Sequence, residues 1–81
     1  MDQFDINTQY KLYLALNKLS EKDMHPAERI ERKRTFMAAW GQSLLLMRDE
    51  VAVLEEDKGV EILAAMLTQL QVFWMNECNF Q

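Results

Sequence analysis

The sequence predicts an all-α protein, and three observations carry that prediction. Pro26, Gly41 and Gly59 are the only proline and glycines among 81 residues. No stretch alternates apolar and polar side chains as a half-buried strand does, and apolar residues recur instead three and four apart. The expected architecture is two long antiparallel helices and a shorter N-terminal helix, over about 6–20, 26–49 and 55–78, in one helical domain spanning 1–81. Apolar residues make up 49% of the chain and charged residues 27%, a globular composition unlike that of a disordered segment. At this length apolar burial and the entropy of ordering nearly cancel, and a single cysteine closes no internal disulfide. Self-association into a homodimeric bundle is therefore expected, two-fold dimers being the commonest assembly.

The first helix is expected to begin after Asp5 or Asn7, either of which can return a side-chain oxygen to the free amides of the first turn. Ile6, Tyr10, Tyr13, Leu14, Leu16 and Leu19 give it a broad apolar face that ends near Ser20. Glu21 to Pro26 reads as a turn, because Pro26 disfavours helical geometry at His25 while suiting the first position of the next helix. From Ile30 the second helix runs through Met37, Trp40, Leu44, Met47, Val51 and Leu54, with Lys33 the polar member of the row and Phe36 and Leu45 widening it. Gly41 has no cap or turn to make in mid-helix, which leaves either close approach of another helix or a tolerated small residue beside Trp40.

A break is expected between about 49 and 55, where Arg48-Asp49-Glu50 could continue the helix or turn and Val51 and Val53 mildly weaken it. Glu55, Glu56 and Asp57 then suit the positive end of a third helix whose stripe is Val60, Leu63, Met66, Leu67, Leu70, Phe73 and Trp74. Gly59 lies inside that helix or ends the preceding one in left-handed geometry.

Several chemistries lack their equipment. His25 and Cys78 are the only histidine and cysteine, too few for a zinc site, and the acids from Asp49 to Glu61 have no calcium-loop spacing. A nucleophile needs a base beside it, and His25, expected in an exposed turn, is distant in sequence from Ser43 and Cys78. With two glycines no phosphate-cradling loop is built, so neither a cofactor nor an enzyme activity is expected. The longest apolar run is six residues, Ile62 to Leu67, and runs such as Leu44 to Met47 are shorter, against the roughly 20 that cross a bilayer. With no secretory signal in the opening residues, a soluble cytoplasmic protein without a membrane partner is expected.

Arg29, Arg32, Lys33 and Arg34 form the sharpest charged feature and could meet phosphates or an acidic protein surface. Glu28 and Glu31 are interleaved at ion-pairing distance along a helix, and ion pairs are the stronger expectation. Residues 1–40 hold seven basic and six acidic groups, whereas 41–81 hold two and seven; the net charge of −4 opposes nucleic-acid binding. Glu55, Glu56 and Asp57 are the corresponding acidic candidates for a polar partner contact. At the C-terminal end Phe73 and Trp74 are expected in the core, while Met75 and Phe80 point elsewhere and suit an interface, as do Met37, Trp40, Gly41 and Leu44 on the second helix.

The segment Arg34-Thr35-Phe36-Met37-Ala38-Ala39-Trp40-Gly41, followed by an apolar helix, an acidic turn and Leu63 to Phe73, resembles a loose pattern in short all-helical accessory proteins of phages and prophages. The resemblance covers about half the chain and carries no catalytic motif. It implies a mobile-element origin and an accessory role, such as binding a bacterial host protein or opposing a host defence. The sequence thus leads to a non-catalytic helical interaction protein, with a small DNA- or RNA-associated regulator using the Arg29 to Arg34 face as the alternative.

Overall fold

The computed structural model describes residues 2–79, and among them the chain forms three α-helices and no strand. It divides into two compact units, Met1–Gln42 and Ser43–Gln81. The first contains α1, Ile6–Leu16, and most of α2, Pro26–Leu46. Of the two candidate caps, Asp5 is the one used: its carboxylate accepts from the Thr8 amide at 3.1 Å and from the Thr8 hydroxyl at 3.2 Å.

Helix α1 stops four residues short of the expected Ser20. Its end is a Schellman motif, in which the Leu19 amide donates to the Leu14 carbonyl at 2.8 Å and the Lys18 amide to the Ala15 carbonyl at 3.1 Å. Lys18 occupies the left-handed position with φ 56°, a place usually held by glycine, so the sequence carried no sign of the stop. Leu19 then packs against the cluster of Tyr10, Leu14 and Met24, as an apolar residue after this motif often does.

A short 3₁₀ turn, Glu21–Asp23, leads to Met24, which is buried although it lies in the expected turn. The carbonyl of His25 accepts the Arg29 amide at 3.0 Å, so His25 opens α2 and Pro26 is its first residue, where the missing amide costs nothing. Tyr10, Leu14 and Met24 form the buried centre of this unit, with Tyr13, Leu19, Phe36 and Met37 packed around it.

The second unit begins with the last turn of α2 and a π-helical turn, Met47–Val51. The Ala52 amide reaches the Met47 carbonyl at 2.8 Å, five residues back, so Arg48-Asp49-Glu50 prolongs the helix in widened form before the chain turns at 52–55. Arg48 and Asp49 pair side by side there, at 2.6 Å from Nε to Oδ1.

Helix α3, Glu56–Asn79, follows with Glu56 and Asp57 in its first turn. Gly59 lies inside it, with its amide donating to the Glu55 carbonyl at 2.9 Å and no positive φ, which settles its placement in favour of the first alternative. It is buried against the π turn: a Cβ on Gly59 would lie 3.6 Å from Cγ1 and 3.7 Å from the carbonyl oxygen of Val51. Met47, Val51, Ile62 and Met66 are half-buried in this unit, and the C-terminal half of α3 is exposed along its described length.

Candidate interaction surfaces

The first unit gathers aromatic rings and cations along one side of α2. Phe36 is the hub, with ring centroids 5.2 Å from both Tyr10 and Tyr13 and 5.9 Å from Trp40. These separations lie in the range where tilted rings attract beyond their area of burial. Phe36 was read from the sequence only as a widening of the stripe, and Met24 only as part of a turn. Two tyrosines three apart on α1 and an i, i+4 pair Phe36 and Trp40 on α2 were the available signals for the ring cluster.

Each residue of the basic run has a contact inside this unit. Arg29 Nη2 donates to the Met24 carbonyl at 3.4 Å. Arg32 Nη1 donates to the Tyr13 hydroxyl at 3.1 Å and Nη2 lies 3.5 Å from the Glu28 carboxylate. The Tyr13 hydrogen bond outweighs the opposing cost of desolvation and raises the Arg32 pKa still further, with Glu28 adding to it. Lys33 Nζ sits 5.9 Å from the centre of the Tyr10 ring, within cation–π reach, and Arg34 lies 3.6 Å from Glu31. The four cations thus address five partners within the unit, two of them held by Arg32. Tyr13, Glu28, Glu31, Arg32, Thr35, Phe36 and Ala39 line an open, mainly apolar groove of about 460 Å³ beside them.

Tyr10 is 3% exposed and its hydroxyl, closed off from solvent, has no hydrogen-bond partner among the described residues. Burial raises its phenol above the ordinary value of 10.0, Glu21 adds to the rise and Arg32 opposes it.

Most of the remaining interface candidates are open. Met37 and Trp40 are half-buried in the first unit, and a Cβ on exposed Gly41 would meet nothing within 4 Å among the described residues. Leu44 is exposed. Phe73 and Trp74, expected in the core, are instead exposed and meet each other edge to face at 5.0 Å. Met75 is exposed as expected, and Phe80 lies outside the described residues. Leu67, Leu70, Gln71, Trp74, Met75 and Cys78 line one apolar groove on α3; Leu67 is 61%, Leu70 57% and Trp74 60% exposed.

Glu55, Glu56 and Asp57 are exposed at the start of α3, and Lys58 pairs with Glu61 at 3.5 Å. Among the described residues no group of three or more His, Cys, Asp and Glu side chains is placed to hold a metal ion, and no helix is long and apolar enough to cross a membrane. Comparison with known protein families, curated proteins and solved structures returns no match.

Proposed function

We propose that this chain is a non-catalytic interaction protein that acts as a homodimer in the cytoplasm and occupies a surface of another protein. The observation that carries this reading is the apolar face of α3, where Val60, Leu63, Leu67, Leu70, Phe73 and Trp74 stay exposed. Contiguous apolar surface of this kind marks interaction sites on small proteins, and burying it releases about 25 cal/mol per Å². The resemblance of residues 34–41 to phage and prophage accessory proteins supports a bacterial host protein as the target class and inhibition of a host enzyme or defence as the role. A DNA- or RNA-associated regulator has less support, since Arg29, Arg32, Lys33 and Arg34 each have contacts within the unit and the chain is acidic.

Affinity capture from bacterial lysate, with wild-type protein beside a Leu70→Asp/Trp74→Asp variant, tests the reading. A defined protein retained by the wild type and lost by the variant is expected. Failure to retain any protein over a range of salt concentrations would refute it. Steeply salt-dependent retention of nucleic acid that Arg32→Ala and Arg34→Ala weaken would favour the regulator instead.

A further inference from the structure

Of the five methionines among the described residues, four are shielded: Met24 is 7% exposed, and Met37, Met47 and Met66 are half-buried. Met75 is 64% exposed. It lines the apolar groove of α3 together with Leu67, Leu70 and Trp74, so the thioether most open to solvent lies on the surface that carries the interaction reading.

A thioether reacts with peroxides according to its access, and oxidation turns a flexible apolar side chain into a polar sulfoxide. We infer that Met75 is an oxidation site for small hydroperoxides, and that its sulfoxide switches the α3 groove from an apolar to a polar surface. The inference rests on the interaction reading above and adds its regulation. With hydrogen peroxide the step is complete in itself. The Met75 Sδ attacks one peroxide oxygen and the O–O bond breaks. Sulfur gives up the two electrons that the peroxide gains, and the proton on the new sulfinyl oxygen passes to the departing hydroxide as water. Methionine sulfoxide reductases return the thioether, which makes the change reversible.

The consequence follows from the lining. Leu67 and Leu70 hold no side-chain hydrogen-bond donor, and a polar oxygen pressed against apolar surface without a donor weakens a contact by about tenfold or more. The four shielded methionines pack within their own units, so a dose that reaches Met75 first changes the groove before it reaches the core of Tyr10, Leu14 and Met24.

Cys78 is exposed on the same groove and is itself open to peroxide, so the test is made without it. Cys78→Ser protein in dilute hydrogen peroxide, sampled over time and mapped by peptide mass, should gain its first oxygen at Met75, with Met24 the last of the five to react. The singly oxidised protein should leave a hydrophobic-interaction column earlier than untreated protein, and methionine sulfoxide reductases should restore the original elution. In the lysate capture, oxidation should lower the affinity for the retained protein about tenfold or more, while Met75→Leu/Cys78→Ser protein keeps it through the same treatment. First oxidation at Met37, Met47 or Met66, an unchanged elution once Met75 has reacted, or an equal loss in the Met75→Leu variant would each overturn the inference. If untreated protein retains no partner, the interaction reading falls, while mapping and elution still decide the oxidation site by themselves. A partner that stays bound to the oxidised protein leaves the reading standing and removes the switch.

Discussion

Replacing Tyr10 with Phe should make this protein more stable, the reverse of what removing a polar group from a folded core usually does. The hydroxyl of Tyr10 is closed off from solvent and has no partner among the described residues, so folding strips it of water and returns nothing. Such a group costs about 1–3 kcal/mol. The rest of the side chain keeps its contacts in the variant: the Phe36 ring at 5.2 Å, the Tyr13 ring at 6.1 Å and the Lys33 ammonium at 5.9 Å all address the ring rather than the oxygen. Deleting one heavy atom leaves a small void that offsets part of the gain. A net gain of about 1 kcal/mol is expected, or a rise of about 4–8 °C in Tm for a domain of this size.

Proton linkage adds a second signature. Burial raises the Tyr10 phenol above its ordinary 10.0, so the folded state holds that proton more tightly than the unfolded chain. The associated stability is fully present below about pH 10 and is lost as the pH rises from there toward the folded-state pKa, because the unfolded phenol ionises first. Wild type and Tyr10→Phe should thus diverge further above about pH 10, with Tyr13 common to both. Urea unfolding in a Trp74→Phe background, followed by the fluorescence of Trp40, whose ring lies 5.9 Å from Phe36, reads this core directly. A variant less stable than wild type at neutral pH, or a gap between the two that stays constant through the alkaline range, would refute the reasoning.

Two other substitutions probe the backbone. Lys18→Gly should stabilise the chain by about 1 kcal/mol, because Lys18 sits at φ 56° where a side chain is strained and glycine is not; an unchanged urea midpoint would show that the turn relaxes without cost. Gly41→Ala should add about 1 kcal/mol by helix propensity alone, since a Cβ there meets nothing within 4 Å. Loss of stability or of dimer mass in that variant would mean that another copy packs against this position.

The elements that were legible in the sequence share one property: a local signal with a single physical reading. Absence of alternation and scarcity of glycine and proline fixed the all-α class, Pro26 marked the start of α2, and the acids at 55–57 marked the start of α3. The end of α1 was illegible because its Schellman turn uses lysine in place of glycine, so the local energetic preference points the wrong way and the packing of Leu19 against the Tyr10, Leu14 and Met24 core overrides it. The placement of Gly59 was ambiguous for the opposite reason: one residue satisfied two local rules, and the choice came from its burial against Val51.

The same distinction explains the aromatic residues. Helical periodicity identifies a face suited to burial but carries no label for its cover, and both Phe36 and Phe73 lie on such faces. Phe36 is covered because Tyr10 and Tyr13 of α1 reach it within the first unit. Phe73 has an exposed ring whose one aromatic neighbour among the described residues is the adjacent Trp74. Burial in the first unit thus comes from α1, and the α3 stripe has no equivalent ring cluster among the described residues of its own unit.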